Sequence, residues 1–487
     1  MCGNITNMFR TALSALLLAL ALPAGAQVPP VVLEHLHASG LPDDALAFTV
    51  QRVSDASVVA AHGADRPMQP ASTLKLLTSL VALETLGPAF RGRSELLAAG
   101  EIRGGVLHGD LVLRGRADVD FDAPALERML RVARLQGVRE VRGDVILDRT
   151  HFSPARTDVG LPPFDATPEF RYNFVPDALS LNMSLVRLDM ASDARAVRVA
   201  MSPALEGVRV AASFTLVERD CDDWEDGWII PEVVPGPRGT LLIRLRGEFP
   251  RDCVASTEVH VLDRDVFSER LIRATWKALG GSLRGRVREG AAPPDAKILA
   301  KHRSRPLSDL ITDIDKHSDN PVTRVIYLAI GAASAAGSDL PTARRAELEV
   351  RGWLARKGIS DEGLVLENGS GLSRLERIRP TQLAAVVRAG LASEWAPEFV
   401  ASLPIAAVDG GLTTRLRGGA AARRARLKTG TLRDTSALAG VLKDTRGESF
   451  ILVAMVNDDA AAKDVARPIL DALVEWVASR GFAGTTP

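Results

Sequence analysis

The chain has 487 residues, enough for two or three domains and a large core. Lys plus Arg (60) equals Asp plus Glu (60), and aromatic residues make up only 5%. A general nucleic-acid binder would carry a basic excess and a single-strand binder would carry stacking aromatics, so both classes are set aside.

Arg10, the apolar run 12–22 and the small residues Ala24-Gly25-Ala26 read as a secretory signal over residues 1–26, with Gln27 as the new N-terminus. The run is short for a membrane span, so no integral span is expected in the mature chain. Cys2 leaves with the signal, and Cys221 and Cys253 remain. In an oxidising compartment such a pair reads as a disulfide, worth about 3–4 kcal/mol on the chain-entropy model. Two buried thiols are the alternative. The stretch between them, with Asp222, Asp223, Glu225, Pro231 and Pro235, makes a poor core and favours the bridge.

Residues 45–53 and 57–62 alternate as a strand pair. Pro70-Ala71-Ser72-Thr73-Leu74-Lys75 then opens a helix. Leu76, Leu77, Leu80, Val81 and Leu83 keep helical spacing, and Gly87 is its natural stop. From 93 to 294 short strands recur between Gly-rich turns (109–115, 143–148, 185–190, 196–201, 240–247), which predicts a β-rich insertion, most simply of two subdomains. The strands at 109–115 and 143–148 both begin with Gly-Asp. Helical patterns return over 305–330 and 343–357. A hairpin of 436–442 and 449–456 follows, and an amphipathic helix over 461–480 closes the chain. Residues 27–92 and 295–487 are therefore expected to form one mixed α/β domain, an antiparallel sheet with helices, split by the insertion 93–294.

Three short motifs stand in order on this frame: Ser72-x-x-Lys75 at a helix start, Ser318-Asp319-Asn320 between apolar stretches, and Lys428-Thr429-Gly430 at a strand start. On a helix, positions i and i+3 share a face, so Lys75 Nζ can reach Ser72 Oγ. The apolar run after Lys75 buries its stem. Burial favours the neutral amine, which can take a proton from serine. A helix N-terminus offers N–H groups and positive dipole to a developing oxyanion. Ser318 can pass a proton to a leaving amine, and Asn320 can hold a substrate amide or Lys75. The Lys-Thr-Gly strand offers an edge to an extended peptide. Gly430 permits close backbone approach, and the Thr431 N–H joins that of Ser72 as an oxyanion donor. Lys428 and Thr429 can bind a terminal carboxylate. Each residue also has a plainer reading: Ser72 as an N-cap, Lys75 as a solvated helix lysine, Ser318 to Asn320 as a turn cluster, Lys428 as part of a basic stretch with Arg415, Arg417, Arg423, Arg424 and Arg426. The trio in order, in matching local structure, is what favours chemistry.

That trio is shared by class A β-lactamases and penicillin-binding proteins. The chain resembles the class C low-molecular-mass penicillin-binding proteins, the serine D-Ala-D-Ala carboxypeptidase/endopeptidase family. Residues 68–91 resemble that family's nucleophile helix, HSDNPVTRVIYLAIG its second motif, ENGSGLSR (367–374) and 403–418 two further blocks, and LKTGTLRDTSALAGV its third motif with the following strand. The similarity runs from about residue 45 to 480 and is faint between 93 and 294, where the family carries a two-domain insertion and often a cysteine pair. The resemblance implies a β-lactamase/transpeptidase-like fold, Ser72 as nucleophile and Lys75 as base. It implies Ser318 and Asn320 as the second-motif pair, and Lys428 with Thr429 as the carboxylate clamp. It associates Arg374 with the peptide stem and Asp148 with the amino end of the third stem residue. It further implies attack on peptidoglycan stem peptides from the periplasm, inhibition by β-lactams, and no metal or cofactor. Two positions depart from the family pattern: Pro321, which restricts Asn320 away from helix geometry, and Arg433.

A class A β-lactamase would hold its first two motifs much closer together and would need a glutamate for the deacylating water, a place Glu367 does not obviously fill. A serine esterase of related fold has no reason for Lys428-Thr429-Gly430. A catalytically silent peptidoglycan-binding or β-lactam-sensing module is the reading from a different class, and Pro321 keeps it open. The eight histidines include no H-E-x-x-H, which argues against a zinc peptidase. His317 beside Ser318 reads as a lone exposed histidine rather than a base.

Overall fold

Strand periodicity sets the frame of the molecule. In the strand Ser449–Asn457, Ile451, Val453 and Met455 pack to one side while Leu452, Ala454 and Val456 pack to the other. A strand buried on both faces reads as a continuous apolar run, as this one does. The computed structural model describes residues 28–480 except 157–163, 166, 336 and 338. In it this strand is the centre of a five-stranded antiparallel sheet, in the order Ala425–Leu432, Thr435–Lys443, Ser449–Asn457, Leu46–Arg52, Val58–His62. The early and late parts of the chain meet here in register, with Leu46 opposite Val456 and Arg52 opposite Phe450. One face is covered by the helices Lys75–Leu86, Leu307–Lys316, Asn320–Ala333 and Pro380–Leu391, the other by Pro30–Ala38 and Lys463–Ala478. The expected signal segment, residues 1–26, lies outside the described residues. Among the described residues no helix is long and apolar enough to cross a membrane.

The insertion contains a seven-stranded sheet and two three-stranded sheets. They share one apolar core that includes Leu113, Val186, Ile243, Phe249 and Trp276. The structure differs from the sequence reading in two ways. First, among its described residues the insertion carries two α-helices, Ala123–Leu135 and Arg264–Ala278. Leu126, Met129, Leu130 and Ala133 of the first are buried at helical spacing. Second, the insertion ends later than residue 294. Lys297–Arg303 pairs antiparallel with Arg93–Arg103 and completes the larger sheet, so the other domain resumes at the helix Leu307–Lys316. The two strands that begin near Gly-Asp are parallel neighbours: Val106–Arg116 lies against Val145–Asp148, with Leu111 opposite Val145. The Asp144 N–H donates to Asp110 Oδ1 at 2.7 Å. A parallel pair needs a crossover, and the helix Ala123–Leu135 supplies it. Cys221 and Cys253 form the expected disulfide, their Cα atoms 5.3 Å apart.

Candidate active site

Ser72 stands on a single 3₁₀ turn, Ala71–Leu74, which runs into the helix Lys75–Leu86. The sequence placed this serine at an α-helix start. The tighter 3₁₀ turn eclipses positions i and i+3 and sets Lys75 over Ser72. Lys75 Nζ lies 2.9 Å from Ser72 Oγ. Its other partners are Asn320 Oδ1 at 2.6 Å and the Ser370 carbonyl oxygen at 2.5 Å. Both of these oxygens can only accept. A neutral amine has two hydrogens and one lone pair. With its hydrogens on Asn320 and Ser370, the lone pair faces the Ser72 hydroxyl. Lys75 is fully buried. That burial holds its amine well below the usual lysine range, the charge on Lys428 adds to the effect, and Glu376, Asp319 and Asp315 pull the other way.

The second motif faces this pair. Ser318 takes φ of 59°, a left-handed conformation costly for a residue with a side chain. Its Oγ accepts from Lys428 Nζ at 3.1 Å, and Lys428 also donates to the Thr429 carbonyl at 2.8 Å. Burial brings the Lys428 amine down to about 8, against the pull of the Asp315 carboxylate. Asp315 is itself fully buried and accepts from Ser402 Oγ at 2.7 Å and Ser79 Oγ at 3.3 Å. Burial raises its carboxyl to about 6, opposed by the Ser402 bond and by the Lys428 and Lys75 charges. The effect expected of Pro321 does not occur. It falls in the first turn of the helix Asn320–Ala333, where its missing N–H has no helical partner to lose and its fixed φ suits the helix. Asp319 caps that helix by accepting from the Val322 N–H at 2.9 Å. Its other oxygen accepts from Arg171 of the insertion at 2.7 Å.

Lys428, Thr429 and Gly430 lie on Ala425–Leu432, an edge strand of the five-stranded sheet. The Leu427 N–H donates to the Pro404 carbonyl and the Ala425 carbonyl accepts from Ala406, so odd-numbered residues turn their backbone groups outward. Thr429 and Thr431 share that parity and present theirs to the edge beside Ser72. Gly430 is required here. A Cβ on it would stand 2.7 Å from the Pro70 carbonyl oxygen and 3.1 Å from the Ser72 nitrogen.

Besides Asp315, two contributors were not singled out from sequence. Ser370, which accepts from Lys75, belongs to the tight loop 367–371. That loop is held by Glu376, which is fully buried and accepts the N–H groups of Glu367 (3.1 Å), Asn368 (2.9 Å), Gly369 (2.8 Å) and Gly371 (2.9 Å). Burial pushes the Glu376 carboxyl up, and the loop's N–H groups pull it down. The Glu-x-x-x-x-x-x-x-x-Glu spacing carried no mark of this, because a carboxylate that collects backbone donors has no fixed motif. Glu376→Ala strands four donors at about 1–3 kcal/mol each when buried. It is expected to lower unfolding free energy by at least about 3 kcal/mol and to slow acylation by benzylpenicillin. Urea denaturation beside stopped-flow acylation checks this, and unchanged values in both would contradict it.

The remaining predicted residues make their described contacts with the insertion or within it. Arg374 is exposed three residues beyond the loop 367–371, with its guanidinium 5.3 Å from the ring centre of Phe164 of the insertion. Asp148 is buried in the insertion's larger sheet. Its Oδ1 accepts from the Thr150 N–H and hydroxyl at 3.0 and 2.6 Å, and its Oδ2 accepts from the Ala292 N–H at 3.0 Å. These bonds tie Asp148 to the turn that follows its strand and to the segment before Lys297–Arg303. The Glu367 carboxylate accepts from the Ser373 hydroxyl. His317 is exposed at the end of Leu307–Lys316.

The chain is 29% identical over 435 residues to a D-alanyl-D-alanine carboxypeptidase of an Actinomadura species, covering 85% of this chain and 78% of that one. It is 26% identical over 427 residues to D-alanyl-D-alanine carboxypeptidase DacB of Haemophilus influenzae, covering 85% of each. The crystal structure of penicillin binding protein 4 from Haemophilus influenzae matches with a TM-score of 0.74 at 23% identity, over 93% of this chain and 99% of that one, and shows the same fold. A model of the D-Ala-D-Ala carboxypeptidase 3 (S13) family matches residues 31–480, nearly all that the structure describes, and the chain belongs to that family.

Proposed function

We propose that this protein is a periplasmic serine D-alanyl-D-alanine carboxypeptidase and/or DD-endopeptidase of peptidoglycan, acting through an acyl-enzyme on Ser72 and inhibited by β-lactams. The observation that carries the reading is the buried Lys75 amine, 2.9 Å from Ser72 Oγ, with its other contacts taken by two acceptor oxygens. Lys75 takes the Ser72 proton as Oγ attacks the penultimate D-Ala carbonyl carbon. The N–H groups of Ser72 and Thr431 receive the oxyanion. The carbonyl–nitrogen bond breaks, and Lys75 returns its proton to the leaving amine by way of Ser318. Lys428 and Thr429 hold the carboxylate of the leaving residue. Water then hydrolyses the ester. The relatives named above support the substrate class, and one structure of the Haemophilus protein is a complex with a β-lactam.

Intact mass of the protein after incubation with benzylpenicillin, beside D-Ala release from a pentapeptide, tests the reading. A stoichiometric adduct with D-Ala release supports it. No adduct with intact penicillin would favour a silent binding module, and rapid penicillin hydrolysis would favour a β-lactamase.

The two lysines predict opposite pH limbs. Lys75 works as the neutral amine, so kcat is expected to fall on the acid side as it takes up a proton. Lys428 works as the ammonium and titrates at about 8, so KM is expected to rise on the alkaline side. The rise approaches about tenfold per pH unit once the charge is lost. Steady-state kinetics of D-Ala release across pH separate the two, and a KM flat to about pH 9.5 would remove Lys428 as the counter-ion.

A further inference from the structure

Beside Ser318 and Asn320 the site opens into a groove of about 730 Å³, walled on the insertion side by Tyr172, Arg187, Glu225, Asp226 and Glu258. Clefts of this size take ligands of several residues' bulk, far more than one alanine. Arg187 and Glu258 also line a second cavity of about 820 Å³, lined as well by residues of the helices Ala123–Leu135 and Arg264–Ala278. The two cavities therefore meet at Arg187 and Glu258, a cross-strand pair of the insertion. The groove's walls mix charges. Arg187 is braced by Asp189 at 2.9 Å and remains about half exposed, and Glu225 and Asp226 are exposed on the disulfide-closed turn. Glu258 lies 3.7 Å from Arg171, which also pairs with Asp319 of the motif.

When a linear stem peptide is cut, the leaving group is a single D-Ala whose carboxylate ends at Lys428. Nothing of it would extend into this groove. A cross-linked peptide differs, because its leaving amine belongs to a residue that continues into a second stem. We propose that the groove is the subsite for that leaving strand, with Arg187 receiving its carboxylate groups and Glu225, Asp226 and Glu258 its ammonium groups. The proposal rests on the acyl-enzyme reading given above. The covalent step is unchanged: the D-Ala carbonyl carbon bonds to Ser72 Oγ, its bond to nitrogen breaks, and the amine leaves with the proton from Lys75. Only the size and charge of what leaves are new.

The test compares two substrates, a pentapeptide and a D,D-cross-linked tetrapeptide dimer, in the wild type, in Arg187→Gln and in the double variant Glu225→Gln/Asp226→Asn. These exposed side chains lie outside the machinery of D-Ala release, and the benzylpenicillin adduct reports that each variant is folded. The expected result is a fall of about tenfold or more in kcat/KM for the dimer, carried by KM, with D-Ala release and acylation unchanged. Equal ratios of the two activities in wild type and both variants would overturn the proposal, as would a wild type that releases D-Ala yet leaves the dimer uncut. Absence of both D-Ala release and the adduct in the wild type would instead overturn the acyl-enzyme reading, and this proposal with it.

Discussion

Ser72→Ala is expected to abolish the benzylpenicillin adduct and to lower D-Ala release by a factor on the order of 10⁶, the scale seen when a serine hydrolase loses its nucleophile. The effect is that large because, among the described residues, no neighbouring hydroxyl is placed to substitute. The Thr73 hydroxyl donates to the Pro70 carbonyl at 2.7 Å, and the Ser318 hydroxyl sits against Lys428 rather than Lys75. Stability should change little. A neutral Lys75 keeps acceptors for both its hydrogens in Asn320 and Ser370, so removing the serine hydroxyl strands no donor. Peptide binding should persist, because Lys428 and the Ala425–Leu432 edge are untouched. The expected pattern is thus a folded, substrate-binding, unreactive protein. An adduct of full stoichiometry on Ser72→Ala, mapped by peptide mass to Ser318 or another residue, would overturn the assignment.

What could be read from the sequence follows from how local each feature is. The hairpin Thr435–Lys443 and Ser449–Asn457, the helix ending at Gly87 and the helix Lys463–Ala478 were all legible, because periodicity and turn residues report on neighbours in the chain. The contact of Lys75 with Ser72 was legible for the same reason. Its contact with Asn320 came only through the ordered trio of motifs. The end of the insertion was misplaced because Lys297–Arg303 is claimed by a partner some two hundred residues earlier, and no local pattern encodes that pairing. The helix Ala123–Leu135 was passed over in a region dominated by strand signals, although its buried residues keep helical spacing. Pro321 shows a local rule applied one position out of place. A proline restricts its predecessor in a helix interior, but it is welcome in the first turn, and the boundary decides which applies. Glu376 and Asp315 stayed hidden for a physical reason. Each is a buried acid whose partners come from distant or unremarkable backbone and hydroxyl groups, and the sequence shows only an ordinary charged residue.

Lys75→Met is expected to leave Ser72 in place yet slow its acylation by benzylpenicillin by about 10⁴-fold, the upper end for loss of a positioned general base. Methionine nearly matches the lysine stem in length and is at home in a buried site, so packing around the helix Lys75–Leu86 is largely kept. What disappears is the nitrogen that meets Ser72 Oγ, Asn320 Oδ1 and the Ser370 carbonyl at 2.9, 2.6 and 2.5 Å. The serine hydroxyl then loses the amine that takes its proton, and the Asn320 and Ser370 oxygens that remain are acceptors too weakly basic to replace it. Lys428 is a poor replacement, since its Nζ already donates to Ser318 and Thr429, and it carries a charge at neutral pH. Two readouts separate chemistry from structure. The rate of adduct formation should collapse while its final extent, given time, remains one per chain, and the acid limb of the pH profile assigned to Lys75 should vanish. Acylation within about tenfold of wild type would show that another group takes the serine proton.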